Sequence, residues 1–155
     1  INEVDWFNIS EYQTLSEEFI REFSDKVRWY YISEYQTLSE KFIKEFSDRV
    51  GWSNISQHQK LSDKFIREFS DRVTWSYISK YQKLSDKFIK EFSDRVDWHN
   101  ISYYQKLSEG SIREFQNNLT MCDNLKKNIK YNHQIKTFKL LEFLPEITNL
   151  IVEYV

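Results

Sequence analysis

A chain of 155 residues with 22 lysines and arginines against 24 aspartates and glutamates has a formal charge of −2, so no overall field of one sign recommends a nucleic acid or an anionic membrane as its partner. One cysteine, Cys122, cannot close an internal disulfide, and neither a signal-peptide apolar core nor an apolar run of about 18 residues appears, so secretion and membrane spanning lack support and a reducing, cytoplasmic setting is expected. Two glycines and one proline leave almost nothing to break helices, while 17% aromatic residues require a substantial place for large rings.

From Val4 the chain repeats itself. Five units of 23 residues start at Val4, Val27, Val50, Val73 and Val96 and share the frame V-x-W-x-x-I-S-x-Y-Q-x-L-S-[ED]-x-F-I-[RK]-E-F-S-D-[RK]. Each unit has its tryptophan: Trp6, Trp29, Trp52, Trp75 and Trp98. A fixed period of this size, without turn signals or strand-like alternation, predicts a helical hairpin stacked along an axis. In the second unit, Ser39 is placed to cap a helix whose first turn carries Glu40, with Leu38 and Ile43 forming a hydrophobic staple. That helix buries Phe42, Ile43 and Phe46 on one face. Its outer face carries an acid and, four residues on, a base, in every unit: Glu17 and Arg21, Glu40 and Lys44, Asp63 and Arg67, Asp86 and Lys90, Glu109 and Arg113. Such pairs are expected to bridge along each helix, each worth about 0.2 to 0.5 kcal/mol. The helix is expected to end near Ser47-Asp48, whose side chains would cap a following helix holding Val50, Trp52, Ile55 and His58-Gln59. A unit of this size cannot bury enough apolar surface alone to offset the entropy of ordering it, so stacking is obligatory and the Trp, Ile, Leu, Phe and Ile set reads as glue between neighbours.

If the frame is scaffold, function belongs where the copies differ. The variable positions include Phe7, Glu11 and Thr14 in the first unit, Tyr30, Glu34 and Thr37 in the second, Gln57 and Lys60 in the third, Lys80 and Lys83 in the fourth, and His99, Tyr103 and Lys106 in the fifth. Their i, i+4, i+7 spacing predicts one stripe along each first helix, aligned by stacking into a surface that runs from acidic to basic with rings interspersed. An extended protein ligand could read such a surface, with Phe7, Glu11, Tyr30, Glu34, Gln57, Lys80, His99 and Tyr103 as the contact residues. Neutral drift of a solvated face is the alternative.

No enzyme chemistry is indicated. His58, His99 and His133 lack partners at metal-ligand spacing, His58 standing where other units have tyrosine. The recurrent Ser and Asp residues are explained as caps, and glycine-rich phosphate loops are absent, so neither metal nor cofactor is expected. The basic stretch Lys126 to Lys139, with Tyr131 and Phe138 among its lysines, could touch nucleic acid; a solvated connecting helix explains it as well.

The fifth unit erodes, with Gly110-Ser111 in place of Lys-Phe and Gln116-Asn117-Asn118 in place of Ser-Asp-Arg, as expected of the end of an array. After residue 118 the pattern stops, and Pro145 opens a segment with Ile147, Leu150, Ile151, Tyr154 and Val155 on one stripe, suited to fold back as a lid. The stretch Leu144-Pro145-Glu146-Ile147 followed by Ile151-Val152-Glu153-Tyr154-Val155 resembles the first helix of an F-box, as in the poxvirus PRANC arrangement. The resemblance implies contact with a Skp-type adaptor of a cullin ubiquitin ligase through Leu144, Pro145, Ile147, Ile151 and Tyr154. It departs from the F-box pattern by one missing residue after Pro145. The repeats resemble W-x-x-I-S-x-Y-Q-x-L-S-E-x-F-I arrays in proteins of giant amoeba-infecting DNA viruses, which implies action in an infected host cell.

The expected fold is all-α: an α-solenoid of five 23-residue two-helix repeats over residues 1–118, closed by a C-terminal helical cap over 119–155. The expected function is a protein-protein interaction scaffold, with the F-box resemblance adding a viral substrate adaptor for a host ubiquitin ligase. The alternatives are an architectural, self-associating repeat protein and, behind it, nucleic-acid binding.

Overall fold

The computed structural model describes residues 4–120, 122–127 and 129. Among them all regular structure is helical. The helices alternate in pairs: α1 Trp6–Tyr12, α2 Glu17–Glu22, α3 Trp29–Tyr35, α4 Glu40–Glu45, α5 Trp52–His58, α6 Asp63–Glu68, α7 Trp75–Tyr81, α8 Asp86–Glu91, α9 Trp98–Tyr104 and α10 Glu109–Glu114. Each odd helix starts at the repeat tryptophan and each even one just after the repeat serine, so the protein is a helical-repeat solenoid with the predicted period. The chain divides into two compact units, Ile1–Gln82 and Lys83–Val155.

These helices are six or seven residues long, far below the length at which an isolated helix holds in water. Local signals start them and packing keeps them. Ser39 Oγ accepts the amide of Phe42 at 3.2 Å, and Ser16, Ser62, Ser85 and Ser108 cap their helices in the same way. Leu38 and Ile43 are both buried, as the staple requires.

In the first unit, α1, α3, α5 and α7 pack side by side. Ile20, Ile32, Ile43, Ile55 and Phe42 have no exposed surface and form one core with Val27, Leu38, Val50 and Phe65. The tryptophans are half-buried at its margin. Trp29 lies 4.8 Å from Phe46 and Trp52 4.9 Å from Phe69, ring centroid to centroid. The indole Nε1 of Trp29 donates to Ser24 O at 2.9 Å, so the ring's one polar atom is satisfied where it enters the core. Trp52 and Trp75 repeat that bond to Ser47 O and Ser70 O, and in the second unit Trp98 repeats it to Ser93 O.

Polar bridges between repeats accompany the apolar column. Gln59 is 5% exposed, and its side chain bonds only to main chain of the preceding repeat: Oε1 accepts the Leu38 amide at 3.0 Å, and Nε2 donates to Ser33 O at 3.2 Å and Gln36 O at 2.8 Å. Gln36 and Gln82 do the same one repeat earlier and later. The fully buried Ser33 hydroxyl donates to Trp29 O at 2.7 Å and accepts the Gly51 amide at 2.9 Å, as Ser10 and Ser56 do with Arg28 and Thr74. Those amides sit at the N-caps of α3, α5 and α7, which have no side-chain cap of their own.

The expected capping by Ser47-Asp48 is therefore corrected: the serine of the preceding repeat takes the N-cap amide, and Asp48 instead pairs with Arg72 at 2.8 Å. The acid and base on the even helices also differ from expectation. Arg21–Glu17 and Arg113–Glu109 do pair along their helices. Lys44, however, reaches Glu68 of the next repeat, while Glu40 accepts the Ser62 amide of that repeat. Stacking places a fresh helix start within reach of the acid, and an unsatisfied amide there is the stronger donor site.

In the second unit, Phe88, Ile89, Ile101 and Ile112 are fully buried. Past residue 118 the sequence frame has ended, yet its bonding continues. Thr120 N donates to Ser102 Oγ at 2.8 Å, and Asn124 Nδ2 donates to Ser102 O and Gln105 O at 3.2 and 3.0 Å. These are the bonds that an N-cap amide and a glutamine of a following repeat make elsewhere, and a helical stretch over 123–127 carries Asn124. Cys122 and Leu125 are buried beside it.

Gly110 lies inside α10, where a Cβ would meet only Ser108 Oγ at 3.8 Å. Gly110→Ala is expected to raise stability by about 0.5–1 kcal/mol by reducing backbone entropy of the unfolded chain. A lower melting temperature would mean that this helix end needs the glycine.

Candidate interaction face on the first helices

Each odd helix exposes one face, and variable residues stand on it. Phe7 is 44% exposed and Tyr30 60%; His99 and Tyr103 of α9 are exposed, with ring centroids 4.6 Å apart. Glu11, Glu34, Gln57 and Lys80 are half-buried at one frame position of four neighbouring helices in the first unit, running acid, acid, neutral, base. His99 and Tyr103 belong to the second unit.

The predicted i+7 member of each stripe is not on a helix. The odd helices end at Tyr12, Tyr35, Tyr81 and their equivalents, so Thr14, Thr37, Lys60, Lys83 and Lys106 lie in the extended connections, exposed. The glutamine just past each odd helix takes an extended backbone, which ends the helix there. Trp6, Trp29, Trp52, Trp75 and Trp98 are half-buried packing residues, consistent with a scaffold role.

No family model, curated protein or solved structure matches the chain. The site is therefore read from its own geometry.

The frame tyrosine, taken with the scaffold by its recurrence, stands on the surface: Tyr12 is 68% exposed, Tyr35 52%, Tyr81 45% and Tyr104 53%. A signal for this exists in the sequence, since His58 replaces it in one copy and a packed core position would not accept that exchange. In the second repeat Tyr35 joins the variable rings. Phe7 and Tyr31 make an edge-to-face contact at 4.8 Å, Tyr30 and Tyr31 another at 5.2 Å, and Tyr31 stacks near Tyr35 at 6.1 Å. Asn54 of the third repeat donates to Glu34 Oε2 at 3.1 Å.

Hydrogen bonding to the Glu11 carboxylate, then its charge, holds the Tyr12 phenol above its usual pKa of 10.0. Glu34 does the same to Tyr30 and Tyr35, by hydrogen bonding first. A raised folded pKa means that this contribution to stability is present below about pH 10 and is lost as pH rises through the shifted values. Ultraviolet titration should show part of the tyrosine absorbance change moving down toward 10 in a Glu11→Gln/Glu34→Gln variant; an unchanged curve would place the carboxylates away from the phenols.

Among the described residues no helix is long and apolar enough to cross a membrane, and no group of three His, Cys, Asp or Glu side chains converges as a metal site would. Leu144, Pro145, Ile147, Ile151 and Tyr154 lie outside the described residues, as does most of the basic stretch from Lys126 to Lys139.

Proposed function

We propose that the chain is a protein-binding scaffold whose partner lies across the exposed face of α1, α3, α5 and α7. The observation that carries this reading is the side-by-side display of exposed rings, both variable and frame tyrosines, on a backbone that needs none of them for its core. Exposed aromatic clusters on a regular surface mark interaction sites, and tyrosine supplies much contact area at low entropic cost. The variation of charge from Glu11 to Lys80 along neighbouring helices gives such a partner a register. The resemblance of residues 144–155 to an F-box helix adds, as part of the proposal, that a bound protein is handed to a Skp-type adaptor in a virus-infected cell.

Affinity capture tests the face directly, comparing the unaltered chain with Tyr30→Ser/Tyr35→Ser and with Lys41→Ser/Lys64→Ser, the latter on exposed positions of the second helices. The expected result is a protein set lost with the tyrosines and kept with the lysine changes. Equal sets in all three, or none above background, would overturn the reading. Removing residues 140–155 should release cullin components alone; their persistence or absence throughout would remove the adaptor part.

A further inference from the structure

We infer that the face of the first two repeats is a docking site for a cationic peptide segment, an arginine or lysine side chain lying against the tyrosine rings with its charge on Glu11 and Glu34. This rests on the scaffold reading above and names the chemistry of its partner.

In this unit four acids of the second helices and their turns pair with a base one repeat away: Glu45 with Arg21, Glu68 with Lys44, Asp25 with Arg49 and Asp48 with Arg72. Glu11 and Glu34, on the first helices, make no such pair. They are half-buried, and among the described residues neither has a cationic partner; Asn54 and the neighbouring phenols are what they meet. Two carboxylates held at the hydroxyls of exposed tyrosines, with no cationic partner among the described residues, attract one from outside, since the same cation gains from the charge and from the ring quadrupoles together.

The repeat supplies its own comparison. In α7 the position of Glu11 and Glu34 is Lys80, and its ammonium lies 5.0 Å from the centroid of the Tyr81 ring. A cation over the frame tyrosine is thus an arrangement this helix accommodates. In α1 and α3 the neighbour of that tyrosine is an acid, so no described residue supplies the cation there, and a ligand can. The rings of Phe7, Tyr30 and Tyr35 surround that of Tyr31 at 4.8, 5.2 and 6.1 Å, a patch from two repeats that is wide enough for a peptide segment rather than a single small cation.

The test titrates the full chain with a blocked arginine–serine peptide at low salt, followed by calorimetry, beside the same peptide with citrulline or glutamate for arginine. The expected result is binding of the arginine peptide alone, weakened by about tenfold or more in Glu11→Lys/Glu34→Lys and in Tyr30→Ser/Tyr35→Ser, both melting like the parent chain, and unchanged in Glu18→Lys/Glu22→Lys. No binding, or equal loss in the Glu18→Lys/Glu22→Lys control, would overturn the inference. Light scattering adds a further arm: self-association abolished by Glu11→Lys/Glu34→Lys would also overturn it, because the occupant would then be a second copy offering its own lysines. Should the peptide fail while the tyrosine variant still loses captured proteins, this inference falls and the scaffold reading stands.

Discussion

Gln59→Ala is expected to cost about 3 kcal/mol or more in urea unfolding, whereas Gln13→Ala should change stability by less than about 0.5 kcal/mol. Both residues occupy the same frame position. Gln59 is buried and answers one amide and two carbonyls of the preceding repeat; Gln13 is exposed. Truncation at Gln59 strands those three backbone groups in a site shielded from water, and each buried group left without a partner costs about 1–3 kcal/mol. Equal, small effects at both positions would show that the bridges are incidental to stacking. Hydrogen exchange adds a spatial check, because the amide of Leu38 should lose protection in Gln59→Ala.

The second large effect is expected from Phe42→Ala, at about 3–5 kcal/mol. Phe42 is fully buried, with Trp29 at 6.2 Å, Phe46 at 4.8 Å and the Arg21 guanidinium of the preceding repeat 5.0 Å above its ring. Its removal opens a cavity among these neighbours, which relax into it only in part. Phe7→Ala, which removes the same ring from the exposed face, should cost less than about 1 kcal/mol. Thermal melts of the two variants distinguish them, and a similar loss from both would contradict the separation of core from face.

Much of this fold was legible in the period. Trp29, Ile32, Leu38, Phe42 and Ile43 recur in helical spacing, and a recurring apolar set has few other uses than stacking. The serine cap at Ser39 was equally legible, because capping is a local event decided within four residues. What depended on the neighbouring repeat was hidden. Glu40 and Lys44 look like a pair along one helix, and only the stack brings Ser62 and Glu68 closer. Ser33 and Gln59 have the look of ordinary polar surface; their burial follows from how one odd helix lies against the last. Their recurrence with no cap or ion pair of their own helix to account for it was the available clue.

For the candidate face the reverse holds. Variation located Phe7, Glu11, Tyr30 and Glu34 on the surface, but it passed over Tyr12 and Tyr35, which recur and yet face solvent. Recurrence marks whatever every copy needs, and a ring offered by every repeat is needed by a ligand as readily as by a core. The i+7 residues were misplaced for a different reason: a helix of seven residues ends before the stripe can reach them.

The central claim is that each repeat is completed by its neighbour, through apolar contact and through the serine and glutamine bridges. Far-ultraviolet circular dichroism of an isolated peptide spanning residues 50–72, one whole repeat, tests it most directly. The expected spectrum of the peptide in water shows no helix, beside a helical full chain. A peptide as helical per residue as the full chain would contradict it.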